Sequence, residues 1–139
     1  MKTIEIKLER IISAKPSDVY KAWLNPKVPG SPWNMGEKHI LNPKSGALWY
    51  WLVGKTAHYG MFTKIEPSHQ IQQTWVSPST MGYESLLTVT FKAHTDGTLM
   101  RLVHANLPNT ADGRGHKAGW NMFLDKFPKH FEKKPSKKK

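Results

Sequence analysis

Gly60-Met61-Phe62-Thr63-Lys64-Ile65-Glu66-Pro67, followed by Ile71 and Thr74-Trp75 and much later by His116-Lys117-Ala118-Gly119-Trp120, decides the fold. The first stretch reads as a hairpin opened by a glycine and closed at Pro67-Ser68-His69. The second reads as a helix entered through glycines and striped with rings. Trp120, Phe123, Leu124 and Phe127 fall at i, i+3, i+4 and i+7, with His116 one turn before and Phe131 one turn after, which makes one apolar face on a helix beginning near Thr110 to Asp112. Together they predict a curved antiparallel sheet closed around a long C-terminal helix.

Around the hairpin, further strands follow in quick succession. Ala47 to Val53, Tyr59 to Glu66, Gln70 to Val76, Glu84 to Ala93 and Thr98 to Asn106 are separated by turn-rich links, the spacing of a meander. Asp96-Gly97 predicts a type I′ hairpin, because both of its central residues tolerate positive φ. Leu87, Val89 and Phe91 share one strand face and Met100, Leu102 and His104 another, and both faces are expected to point inward. At the N-terminus Ile4, Ile6 and Leu8 alternate with charged residues, which predicts a strand whose alternation slips at Arg10-Ile11-Ile12. Pro16, Asp18, Val19, Ala22 and Trp23 then mark a short helix ending near Asn25-Pro26. From there to Pro43 the prolines and glycines predict irregular chain with one short strand near Lys38 to Leu41. Pro128 is expected to kink or stop the last helix.

The order of these elements, and several local patterns, resemble the helix-grip superfamily of START-like (SRPBCC) and birch-pollen-allergen-like proteins. Within it they resemble the family named for the C-terminal domain of the activator of the heat-shock-protein-ninety ATPase. Ala14-x-Pro16 with Val19, Ala22 and Trp23 resembles the opening strand-to-helix signature. Gly60-x-Phe-x-x-Ile-x-Pro67 with Ile71, Thr74 and Trp75 resembles the central hairpin, and Thr88-Val-Thr-Phe91, Gly97-Thr98, His104 and Leu107-Pro108 the last two strands. His116-x-x-Gly-Trp120 is similar to the mark opening the final helix. The resemblance runs from about Ile4 to Phe127 and implies an α+β fold of about six to seven strands, with one or two short helices after the first. Three features depart from the family: Gln72 and Gln73 where relatives are apolar, a proline-rich Pro26 to Pro32 in place of a second short helix, and Pro128. The co-chaperone that names the family carries an additional N-terminal domain for which this chain has no room, so chaperone activation is not the expected role.

Composition bounds the function. A chain of 139 residues that is 38% hydrophobic and 22% charged is expected to form one globular domain, residues 1–131, without inserting into a membrane. It has no cysteine, which excludes disulfides and thiolate chemistry and is compatible with the cytoplasm, the expected location since no signal-like apolar run opens the chain. Of the net charge of +11, Lys129 to Lys139 carries +5, six lysines against Glu132. Residues 132–139 are expected to be a disordered basic tail, giving at most weak, non-specific contact with polyanions.

In the superfamily the space between helix and sheet is commonly a ligand cavity. The residues expected to face it are Trp23, Trp33, Phe62, Trp75, Trp120, Phe123 and Phe127, with His104, His116 and Glu84 as polar anchors and Tyr59 and Tyr83 as further polar partners. Two packings are compatible with these rings: a solid core, or a cavity for a small apolar or aromatic molecule. Binding of such a ligand is the leading expectation. A cyclase, dehydratase or hydrolase using the same cavity is the alternative, and a protein-interaction module of co-chaperone type a third. Trp49 and Trp51 point to one side of their strand and Leu48, Tyr50 and Leu52 to the other, so one apolar face is expected to meet something beyond the core, such as a second copy of the chain. The seven histidines include no His-x-x-x-His or His-x-Glu pair, and no cysteine supports them, so no metal or cofactor is expected. Nucleophile elbow, phosphate loop and dinucleotide fingerprint are absent from the sequence.

Overall fold

The computed structural model describes residues 2–132. Seven strands form one antiparallel sheet in the order β1-β7-β6-β5-β4-β3-β2. They are β1 (Thr3–Ile12), β2 (Lys38–Ile40), β3 (Leu48–Val53), β4 (Thr56–Glu66), β5 (Gln70–Trp75), β6 (Ser85–His94) and β7 (Gly97–Pro108), with helices α1 (Pro16–Trp23), α2 (Pro32–Met35) and α3 (Ala111–Lys126). This is the α+β helix-grip architecture. The basic tail predicted for residues 132–139 lies, from residue 133 onward, outside the described residues.

The meander follows from period-two burial. Leu87, Val89, Phe91, Met100, Leu102 and His104 are all buried, as their strand phases require. In β1 the alternation does not slip at Arg10. Ile6 and Ile12 are buried on the inner face while Ile11 is exposed, and Arg10 stays in the inward phase at the rim. There its guanidinium donates to Asn121 Oδ1 (3.0 Å) and Asp125 Oδ1 (2.8 Å), tying β1 to α3. The irregularity lies across from β1, in β7: Ile4 pairs with Leu107 but Ile6 with His104. The extra residue resets the strand's phase, so His104 and Leu107 both point inward although they are three positions apart, an odd interval.

The last hairpin forms one residue earlier than expected. His94 pairs with Gly97, so Thr95 and Asp96 make the turn and only Gly97 has positive φ, at 131°. A second short helix exists, but it starts at Pro32 instead of preceding it. Proline suits a first helical position, and Ser31 caps the turn, accepting from the Trp33 N–H and donating to the Trp23 carbonyl (2.7 Å). Thr110 caps α3 by accepting from Gly113 N–H at 3.0 Å. The helix ends at Lys126, and Phe127–Phe131 continue as a 3-10 turn around Pro128.

Gly60 has a specific reason to be glycine. It pairs with Trp49, whose indole crosses it to donate to the Thr74 carbonyl on β5 at 3.0 Å. A β-carbon at Gly60 would sit 2.1 Å from that same carbonyl oxygen. The close approach of β4 to β5 and the buried Trp49 therefore both depend on the missing side chain.

Candidate functional site

The inner stripe of α3 is set by its spacing: Trp120, Phe123 and Leu124 are buried against the sheet, and Phe127 continues the stripe just past its end. From the sheet, Trp49, Trp51 and Trp75 rise to meet it. The rings divide the gripped space in two. Toward α1, the region bordered by Trp23, Trp33, Trp49, Leu87 and Trp120 is nearly solid, with about 10 Å³ left open. Toward the other end of the helix a cleft of about 280 Å³ remains.

Four rings wall this cleft in a closed circuit: Trp51 to Trp75 (5.7 Å between centroids), Trp75 to Trp120 (5.3 Å), Trp120 to Phe123 (5.6 Å) and Phe123 back to Trp51 (5.9 Å). Met35, Val53 and Met122 extend the apolar wall, and His58, Ser79 and His116 supply its polar edge. The opening beyond is bordered by His58, Ser79, Asp112 and His116.

The three histidines of this region differ in what their nitrogens can do. His104 is fully buried and both of its nitrogens are taken. Ser85 Oγ donates to the Trp75 carbonyl (2.7 Å), so toward His104 Nε2, 2.8 Å away, it accepts. Trp120 Nε1–H donates to His104 Nδ1 at 3.0 Å. These partners hold the ring as the neutral Nε2–H tautomer, and burial, then the nearby His116, push its pKa well below the ordinary imidazole range. His104 therefore orients Trp120 and has no free nitrogen to offer a ligand.

His58 and His116 are arranged the opposite way. His58 Nδ1 lies 3.3 Å from the Trp51 carbonyl, and His116 Nδ1 lies 3.0 and 3.1 Å from the carbonyls of Asp112 and Gly113. A carbonyl only accepts, so each Nδ1 carries the proton and each Nε2 is left with its lone pair and no partner among the described residues. Burial lowers the His58 pKa, against backbone hydrogen bonds to Trp51 and Thr56 that raise it, and the proximity of His116 lowers it further. The neutral ring is the favoured form.

The candidates named from the sequence thus separate. Trp75, His116, Trp120 and Phe123 border the cleft. Trp23 and Trp33 border the narrow inner space. Phe62, Phe127 and His104 are closed into the core, while Glu84, Tyr59 and Tyr83 are exposed and outside the cleft lining. Asp112 is the acid that borders the opening in place of Glu84, which sits in the loop before β6. Sequence reasoning missed His58 as a site residue because it began β4 at Tyr59. With the strand starting at Thr56, His58 is in phase with Gly60 and Phe62, a period-two signal available in the sequence. Trp51 carried a similar signal, sharing the phase of Trp49.

Among the described residues no group of three or more metal-ligating side chains forms, and no helix is long and apolar enough to cross a membrane. On the outer face of the sheet, Ile40, Tyr50 and Tyr59 line up across β2, β3 and β4, and Leu48 pairs with Met61 beside them. Leu48 is 72% exposed and Ile40 62%.

No curated protein matches the chain in sequence. Solved structures of similar fold include protein CV1439 from Chromobacterium violaceum, with 22% identity, TM-score 0.75, and coverage of 94% of this chain and 99% of that one. Protein MLL2253 from Mesorhizobium loti has 21% identity, TM-score 0.73, and coverage of 91% and 96%. DynU16, from the dynemicin biosynthetic locus, has 15% identity and TM-score 0.73 over 92% of this chain and 46% of that one. Similarity at this level concerns the fold. The family model described as Activator of Hsp90 ATPase homolog 1-like protein matches residues 13–132. With a match over most of its length and a seven-stranded sheet closed on a C-terminal helix, the chain belongs to the Activator of Hsp90 ATPase homolog 1-like family of the START-like superfamily.

Proposed function

We propose that this protein binds a small, flat apolar or aromatic molecule in the cleft walled by Trp51, Trp75, Trp120 and Phe123, with His58 and His116 as its polar anchors. The observation that carries the reading is a contiguous wall of four mutually touching rings along about 280 Å³ of open space, with two imidazole nitrogens free of partners among the described residues at its edge. That volume is at the small end of ligand pockets, roughly 300 to 1,000 Å³, and suits a molecule of two or three fused rings. Similarity to a protein of the dynemicin biosynthetic locus supports a small-molecule role. The cysteine-free composition supports a cytoplasmic setting.

Titration with a fluorescent apolar probe tests this. Trp51→Leu and Phe123→Ala are each expected to weaken the probe by about tenfold or more, and Leu48→Ser on the outer face is expected to leave it unchanged. Equal affinity in wild type and both cleft variants refutes the reading.

Two other readings rest on specific observations. His58, neutral and with its Nδ1 proton held by a carbonyl, has the state a general base needs, which supports an enzyme of cyclase, dehydratase or hydrolase type in the same cleft. His58→Gln is then expected to abolish a turnover found by substrate screening while retaining probe binding. The outer patch of Ile40, Leu48, Tyr59 and Met61 supports an interaction module that pairs two copies of the chain. Light scattering checks it: Leu48→Lys is expected to convert a dimer to a monomer, and a monomeric wild type removes the reading.

A further inference from the structure

The polar side chains at the edge of the cleft are of one kind. His58 Nδ1 and His116 Nδ1 each face backbone carbonyls, at 3.3 Å and at 3.0 and 3.1 Å, so the lone pair of each ring lies on Nε2. Both rings are half-buried, and neither Nε2 has a partner among the described residues or is closed off from the surface. Both rings border the cleft and the opening beyond it. Each is also held in place. His58 packs against Trp51 and Trp75 with centroids 4.8 and 5.3 Å apart, and His116 stands edge to face with the buried His104 at 5.2 Å. Two hydrogen-bond acceptors are thereby fixed at the polar edge of an aromatic wall.

Dedicated donors are missing from the same lining. Among the described residues no lysine or arginine borders the cleft or its opening. The Nε1–H groups of Trp51 and Trp75 are buried and present no surface to a ligand, and that of Trp120 is engaged by His104 at 3.0 Å. Thr56 and Ser79 bring hydroxyls, which donate or accept as the partner requires, and Asp112 at the opening brings a carboxylate, which accepts. A ligand whose polar edge only accepts, such as an ether or a ketone, meets the two imidazoles lone pair to lone pair and gains nothing from them. A ligand whose edge donates satisfies them. An ammonium also donates, but a chain with a net charge of +11 repels cations, so an uncharged hydroxyl is the better complement.

We infer that the ligand is a hydroxylated aromatic, a phenol or naphthol, which lays its ring system on Trp51, Trp75, Trp120 and Phe123 and turns its O–H edge to the Nε2 atoms of His58 and His116. This rests on the aromatic-ligand reading above and adds the class of ligand. The two histidines then select by hydrogen-bond polarity: they favour an aryl hydroxyl over the same ring carrying an ether, which the apolar wall alone cannot tell apart.

The test is calorimetric titration of the full chain with 2-naphthol and with 2-methoxynaphthalene, which share the ring and the oxygen and differ in the donated proton. The titration is run at pH 8, above the ordinary imidazole range of about 6.5 and below the ordinary phenol range of about 10, so that acceptor and donor are both in place. Wild type is expected to prefer the naphthol by about threefold to tenfold, the net contribution of one hydrogen bond. The double variant His58→Asn/His116→Asn keeps an amide N–H near each Nδ1 position and deletes each Nε2; its preference is expected to fall below about twofold. The ratio of two affinities measured on one variant does not depend on how much of that variant is folded, so a loss of stability cannot imitate this result. Wild type that binds the methoxy compound as well as the naphthol, or a preference that stays above about twofold in the double variant, overturns the hydroxyl assignment and leaves the cleft reading standing. Binding of neither compound overturns the cleft reading and the hydroxyl assignment with it.

Discussion

Replacing His104 by leucine is expected to destabilise the protein near neutral pH and to stabilise it, relative to wild type, in acid. At pH 7.5 the variant leaves the Trp120 N–H, buried and now without its acceptor at 3.0 Å, unpaired. An orphaned buried donor costs about 1 to 3 kcal/mol. Acid acts in the opposite direction. The folded state keeps His104 neutral well below the ordinary range, because it is buried and because His116 lies beside it, while the unfolded chain takes up the proton at about pH 6.5. Below that pH the unfolded state binds one more proton, so wild type loses stability by about 1.4 kcal/mol per pH unit until the folded pKa is reached. The leucine variant lacks this loss. His58, whose pKa is also lowered, and the carboxylates act on both proteins and cancel in the difference. The gap of about 1 to 3 kcal/mol is therefore expected to close as the pH falls, with the two curves crossing at roughly pH 4.5 to 6. Urea unfolding at four values between pH 7.5 and 4.5 measures it. A gap that does not change with pH means that His104 titrates alike in folded and unfolded chains, and refutes the locked neutral tautomer.

Thr110→Ala removes the cap of α3 at Gly113 N–H and is expected to cost about 1 kcal/mol, read as a lower melting temperature. Gly60→Ala places a β-carbon 2.1 Å from the Thr74 carbonyl and is expected to cost about 1 to 3 kcal/mol and to shift tryptophan fluorescence through Trp49, measurable together in one denaturation series. Arg10→Ala breaks the contact with Asp125, whose side chain is 70% exposed, and is expected to cost no more than about 1 kcal/mol, with the difference from wild type shrinking in high salt.

Most of the fold was legible in the sequence because its elements announce themselves locally. Alternation gave β6 and β7 their inward faces, the i, i+3, i+4, i+7 stripe gave α3, and Pro16 gave the start of α1. What was misplaced depends on pairing between strands. The interval from Phe62 to Ile65 is odd, yet both lean toward the core, because Thr63 is an extra residue against β5, where Phe62 pairs with Gln73 and Lys64 with Gln72. The slip read at Arg10 came from Ile11, an apolar residue that sits exposed in the outward phase, while the true irregularity lies in β7, across from Ile4 to Ile6, which nothing in β1 records. At the site, sequence identified aromatic and imidazole groups but not which were usable. His104 and His116 look alike in the sequence. Ser85, Trp75 and Trp120 close the first, while backbone carbonyls of its own helix leave the second open, and those partners come together only in three dimensions.

The bonds from Trp120 through His104 and Ser85 to the Trp75 carbonyl run donor to acceptor in one direction throughout, so each polarises the next. They cross three strands and end on the helix, which fixes α3 in azimuth and depth by directional contacts as well as by ring packing. A lineage can then exchange wall residues such as Trp51, His58, Met122 or Phe123 while the frame keeps its setting. The wall is free to diverge without rebuilding the scaffold, an economy that suits a fold this chain shares with solved structures at about one-fifth sequence identity.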